Sequence, residues 1–232
     1  MEYQNLLVFL EFPEPTRPSP GLLESLSYMD VTLVGFHPLL DEELGTDQRA
    51  SIESTLEEVT TGFEERGIRV EQHVVTGESL TETRDQWASR DEIDGVLIPG
   101  GVNTVGRILV GVRDARQVDK MADFIDLIDR ERIIHITLLN VAPESESEQT
   151  VPSREALDTL KSELTDRGVN PAAVDLRIDM SDNPERQLVK VARNYDLTVL
   201  GKTQEPGLKQ QVFGPVSDYI IDRANSAVLT IN

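Results

Sequence analysis

Gly201 and Gly214 bracket a loop that also carries Lys202, Gly207 and Lys209, and Ser217 follows shortly after it. The loop lies between an apolar run, LTVLG, and a segment that reads as a helix starting after Gly214. Glycines let the main chain come close to a ligand, and the free N–H groups of a helix start favour negative charge. The chemistry open to this spacing is therefore anion binding, with phosphate the natural candidate. It is not a P-loop, because that motif requires glycine where Asp196 stands ahead of Gly201, Lys202 and Thr203. Gly101 and Gly106 do have P-loop spacing, but Arg107 and Ile108 occupy the places of its lysine and hydroxyl residue.

Other chemistry finds little support. The chain has no cysteine, which removes disulfides, thiolate nucleophiles and thiolate metal ligands. His37, His73 and His135 show no metal-ligand spacing and fall in or beside strand-like runs. No G-x-S-x-G elbow is present. The acidic stretch PESESEQ, ending at Gln149, reads as a solvated linker. Trp87 lies at core spacing from Leu80 on a helix, so it reads as packing rather than a stacking platform. No catalytic residue and no metal site is assigned.

The elements that must position the loop come from an internal repeat. NLLVFLEF at 5–12 matches RILVGVRD at 107–114, and VTLVGFHP at 31–38 matches ITLLNVAP at 136–143. Helical segments ending FEERG and LTDRG follow, and then EIDGVLIPG at 92–100 matches NYDLTVLGK at 194–202. Strands alternating with helices imply an α/β fold with parallel sheet and helices on both faces. Ile52, Leu56, Val59 and Phe63 form one helical stripe closed by Gly67, and Leu157, Leu160 and Leu164 recur before Gly168. Ser79, with Glu82 completing a capping box, starts one helix, Ser153 is the expected N-cap of another, and Asn183 with Pro184 opens a third.

Composition narrows the setting. At 232 residues and 38% apolar content the chain can be one large domain or two ordinary ones, and the repeat favours two. The formal charge is −20, from 42 acidic and 22 basic residues, so nucleic acid and anionic membranes repel it. Arginine is strongly favoured over lysine, which together with the acid excess points to a salt-rich cytosol. No run approaches the roughly 18 apolar residues of a membrane span, and the N-terminus lacks a basic segment before its apolar run, so a cytoplasmic protein is expected.

The segment 197–231 resembles the C-terminal part of universal stress protein domains, whose ATP loop reads G-x2-G-x9-G followed by Ser or Thr. Gly201 and Gly214 fall on the first and third glycines, and AVLTI on the closing strand. Gln204 stands at the middle glycine, Pro215 at the hydroxyl residue, and Arg113 where the family usually has Asp. Pro215 brings neither N–H nor hydroxyl, so the loop is short of donors. The resemblance implies two tandem units of the adenine nucleotide alpha hydrolase-like type. The first, 1–105, is truncated, since GVNTVG leaves no room for a loop, helix and fifth strand; the second, 106–232, is complete.

It further implies a ligand site around Arg113, Val141, Gly201, Lys202, Gly207, Gly214 and Ser217, with ATP or another adenine nucleotide as the cofactor if one binds. The family's last strand commonly pairs across a two-fold axis, so a homodimer through Ala227–Ile231 is expected. The function implied is a non-enzymatic stress-response or regulatory protein. Two alternatives stay open: an ATP-binding protein that hydrolyses slowly, with Lys202, Lys209 and Ser217 at the phosphates, and a regulatory partner of a membrane transporter.

Overall fold

Short runs of Leu, Val and Ile broken by Gly, Pro and Asp prefer strands, and the longer amphipathic stretches between them prefer helices. A computed structural model describes residues 4–26, 29–39, 44–143, 150–201 and 226–232. The first half contains β1 (Gln4–Glu11), α1 (Pro20–Glu24), β2 (Met29–Pro38), α2 (Thr46–Glu64), β3 (Arg69–Gly77), α3 (Leu80–Ala88) and β4 (Gly95–Ile98). The second contains β5 (Arg107–Gly111), α4 (Val118–Asp126), β6 (His135–Ala142), α5 (Thr150–Asp166), β7 (Val174–Met180), α6 (Pro184–Ala192), β8 (Leu197–Gly201) and β9 (Ala227–Ile231).

The repeat seen in the letters recurs in the hydrogen bonding. Leu6 lies opposite Val31 in the β1–β2 pair, and Ile108 opposite Ile136 in β5–β6. Val31 faces Val70 as Ile136 faces Val174, and Leu6 faces Gly95 as Ile108 faces Leu197. The strand-entry turns repeat as well. The Asp94 carboxylate accepts the N–H of Asn5 at 2.8 Å, while Asp196 accepts those of Gly106 at 3.0 Å and Arg107 at 2.8 Å. Both α2 and α5 stop at a glycine in the left-handed region, Gly67 at φ 75° and Gly168 at φ 95°. There the N–H of the next residue, Ile68 or Val169, returns to Phe63 or Leu164.

The α/β class holds, with one difference from the expectation of separate parallel sheets. The described strands form one sheet in the order β3-β2-β1-β4-β9-β8-β5-β6-β7. Strand β9 runs parallel to β8, with Ala227 opposite Leu197, and antiparallel to β4, with Ile231 opposite Gly95. Both its edges are thus filled from within the chain. This corrects the homodimer expected through Ala227–Ile231: no main-chain edge of that strand remains for a second copy, because β4, left uncovered by the short first half, takes it. Asn232 secures the join, its side-chain amide donating to the carbonyls of Ala88 at 2.8 Å and Ile93 at 2.9 Å. Lys120 of α4 donates to the Asn232 carbonyl at 2.8 Å.

One hydrophobic core spans both halves. It gathers Leu6, Val8 and Leu10 with Ile108, Val110 and Val112, covered by side chains from α1, α2, α4 and α5. The opposite face carries two smaller clusters, one around Trp87 and Phe36 and one around Leu109 and Val189. Ser79 caps α3 by accepting from Glu82, and Asn183 caps α6 by accepting from Arg186, as the sequence suggests. Ser153 is not a cap: α5 begins earlier, at Thr150, and takes Ser153 into its first turn. Among the described residues no helix is long and apolar enough to cross a membrane.

Candidate functional site

In an open α/β sheet the ligand crevice forms at the carboxyl ends of the strands where the strand order reverses. In the second half that point lies between β5 and β8, which are neighbours. Gly111 of β5 lies opposite Leu200 of β8 and Leu139 of β6. Gly201 is therefore the last residue of β8 at this end, Arg113 follows β5, and Val141 lies near the end of β6 on the far side of β5. Three of the expected site residues are brought to one rim: Arg113 exposed, Val141 half-buried and Gly201 buried. Lys202, Gly207, Gly214 and Ser217 lie outside the described residues, as do Gln204, Lys209 and Pro215.

After β5 the chain makes a short 3-10 turn, Ala115–Gln117, that leads straight into α4. Asp114 starts that turn by accepting the N–H of Arg116 at 2.9 Å. The same carboxylate takes a two-pronged pair from the Arg116 guanidinium, at 3.1 and 2.7 Å. The side-chain bond from Arg116 is the main cause holding the Asp114 carboxyl below its ordinary range, against an opposing push from burial. Asp114 is therefore a fixed structural anion.

Two further side chains that sequence reasoning did not single out stand at this rim. Asn140 is 5% exposed, and its amide donates to the carbonyls of Val112 at 2.8 Å and Arg113 at 3.3 Å. Its side-chain oxygen is buried with no hydrogen-bond partner among the described residues. An amide interrupting the apolar run ITLLNVA is the signal that could have revealed it. The other is Gln117, whose carboxamide packs onto Gly201: a Cβ there would meet the Gln117 Oε1 at 1.7 Å and the Met121 methyl at 2.9 Å. Nothing in its sequence neighbourhood marks Gln117, because the contact is made by tertiary packing of α4 on β8.

The corresponding end of the first half is closed by apolar groups. Phe12, 4% exposed, lays its ring 3.2 Å from where a Cβ of Gly35 would be. Gly35 is the repeat counterpart of Asn140, so an aromatic plug stands in one half where a polar side chain stands in the other. Among the described residues no group of three or more His, Asp or Glu side chains is placed to hold a metal ion. The second-half rim can therefore present main chain, an arginine and amides to a small polar ligand.

A sequence model of the universal stress protein family matches residues 104–232. No curated protein matches the sequence. Among solved structures, a universal stress protein from Archaeoglobus fulgidus DSM 4304 is 16% identical, with 97% of this chain and 98% of that one covered at a TM-score of 0.58. The cytoplasmic domain of a prokaryotic cation chloride cotransporter is 13% identical, with 99% of this chain and 95% of that one covered at a TM-score of 0.51. At such identities the likeness is one of fold.

Proposed function

This chain belongs to the universal stress protein family, and from that premise we propose that it is a non-enzymatic regulatory module of the stress response whose nucleotide loop is degenerate. The observation that carries this reading is how the carboxylate and the amide N–H groups at the β5/β8 rim are occupied. Asp114 is held by Arg116, and the Asn140 amide nitrogen donates to two main-chain carbonyls. A general base must reach the proton it removes, and the carboxylate here is already committed. The sequence of the loop agrees, with Gln204 and Pro215 where main-chain approach and donors would be wanted.

The division into a truncated unit, 1–105, and a complete one, 106–232, is part of this proposal and is supported by the repeated strand registers and the paired Asp94 and Asp196 turns. ATP or another adenine nucleotide is then a weak ligand of the second unit, and the acidic charge of −20 suits a salt-rich cytoplasm. Calorimetric titration with ATP, ADP and AMP at molar salt, with and without magnesium, tests it alongside a phosphate-release assay. We expect no turnover and weak or no binding. Steady ATP hydrolysis, or a Kd near about 1 μM, would sink the reading.

A second reading has its own support. The chain covers 95% of the cytoplasmic domain of a cation chloride cotransporter at near-complete coverage of itself, which favours a regulatory partner of a membrane transporter. Co-purification of a tagged chain from detergent-solubilised membranes tests this. Recovery of no transporter would leave the soluble regulatory role alone.

A further inference from the structure

With both edges of β9 filled, the described sheet ends at β3 on one side and β7 on the other. In the β6–β7 pair Met180 lies opposite Ala142, and Ser181 donates its N–H to the Ala142 carbonyl at 2.8 Å. In a parallel ladder alternate residues of a strand bond a given neighbour. The odd-numbered residues of β7 therefore bond β6, and Leu176, Ile178 and Met180 turn their N–H and C=O groups outward. Val174, at the start of this row, has its carbonyl taken by the Lys161 ammonium at 2.7 Å. Among the described residues no hydrogen bond takes the outward groups of the other three. Met180 is also one of two large apolar side chains exposed among the described residues, at 39%.

We propose that this margin takes the β7 strand of a second copy of the chain, antiparallel and centred on Ile178, so that the sheet continues across a two-fold axis. The charges on the strand select the partner and the register. Asp175, Arg177 and Asp179 alternate with the apolar residues, and the Arg177 guanidinium holds the Asp179 carboxylate through Nε and Nη2, each at 2.7 Å. When Ile178 faces its own copy, Arg177 of each chain faces Asp179 of the other, and Leu176 faces Met180. Residues opposed in this way, outside the hydrogen-bonded pairs, stand about 4.5 Å apart at Cα, and facing opposite charges stabilise a strand pair. The two intrachain pairs then close into a ring of four alternating charges. Asp175 faces Ser181.

Neighbouring registers are resisted. Centring on Arg177 sets that arginine against itself and Asp175 against Asp179, like against like. Centring on Leu176 calls on the Val174 carbonyl, which Lys161 already holds. The other margin lacks this self-match. Arg69 of β3 is engaged with Asp30 of β2 at 2.9 and 2.6 Å, and it would face Glu71 of a copy only in a register that overlaps at the first residues of the strand. Two chains of charge −20 repel at a distance, but in molar salt that repulsion reaches only about 3 Å, so the pairing belongs to salt-rich solution.

Sedimentation equilibrium in molar potassium chloride compares wild type with Arg177→Asp, Asp179→Arg and an equimolar mixture of the two. Wild type should form dimers. Each variant alone sets like charges across the axis and should weaken the dimer at least about tenfold. The mixture places opposite charges at both crossings again and should associate as wild type does. A wild type that stays monomeric at about 100 μM, variants that dimerise like wild type, or a mixture no tighter than its components would each overturn the proposal, the first leaving the margin to a different partner. Met180→Pro covers the case of charge variants that fold poorly. It removes an outward N–H that bonds no described residue, a place where an edge strand tolerates proline, and keeps every charge. It too should yield monomers, and a dimer as tight as that of wild type would overturn the proposal. None of these outcomes bears on the non-enzymatic reading, which the nucleotide titrations test separately.

Discussion

Gly100 lies so close to Ser226 that a Cβ on the glycine would stand 2.5 Å from the Ser226 carbonyl carbon. The contact brings the chain beyond β4 against the start of β9, where the two halves join. Gly100→Ala should therefore cost about 1–3 kcal/mol, the range for forcing extra atoms into a tight site. Gly67→Ala, where an added Cβ would meet no atom of the described residues within 4 Å beyond its own stretch of chain and only the positive φ of 75° resists, should cost about 1 kcal/mol. Urea unfolding of both variants checks the order; a milder effect at Gly100 would mean that the join can relax.

The paired aspartates make a comparison within one molecule. Asp196 accepts two main-chain N–H groups and Asp94 accepts that of Asn5, and a bond to a charged group contributes about 1.5–3 kcal/mol net of the water bonds it replaces. Asp196→Ala should lower stability more than Asp94→Ala. Equal losses in denaturant melts would show that the second bond, to Gly106, adds nothing.

Trp87 reports on the first half. It is 8% exposed, with the His73 ring 4.7 Å away and the Arg90 guanidinium 3.5 Å from its ring centroid. Arg90→Ala should uncover one face of the indole, shift its emission to longer wavelength and cost about 0.5–1 kcal/mol. An unchanged spectrum would place the Arg90 side chain in solvent.

Acid should loosen the second half through Asp179. The side-chain bond from Arg177 is the largest cause lowering its carboxyl below the ordinary value, and Gln187 adds a second bond at 2.6 Å. A carboxyl lowered by folding stabilises the native state above its unfolded value and loses that contribution as pH falls through the folded one. The window opens at about pH 4 and extends below it. Asp179→Asn should make the fall in urea midpoint across that window shallower; an identical slope would mean the pair does not contribute.

Much of this architecture was legible because the signals are local or repeated. Gly67 and Gly168 mark helix ends through a conformation that side chains resist, and Asp94 and Asp196 occupy matching places in EIDGV and NYDLT. The fate of β9 was not legible. AVLTI is apolar but for Thr230 whether its free edge meets another copy or β4, so its letters do not distinguish the partners. Ser153 has the right chemistry for a cap, but α5 extends past it to Thr150. At the candidate site, Arg113, Val141 and Gly201 came from the family resemblance, and the structure places all three at the carboxyl ends of their strands, whereas Gln117 comes to Gly201 only when α4 lies down on β8.

Strand β4 ends at Ile98, and the neighbour that completes its inner side is not made until Ala227 has been translated. For most of synthesis the first four strands must wait with one row of amides and carbonyls unmatched. Closure of the sheet is thus a late, long-range event, of the kind that slows folding and invites mispairing. A newly made chain has reason to need shelter until its final segment arrives.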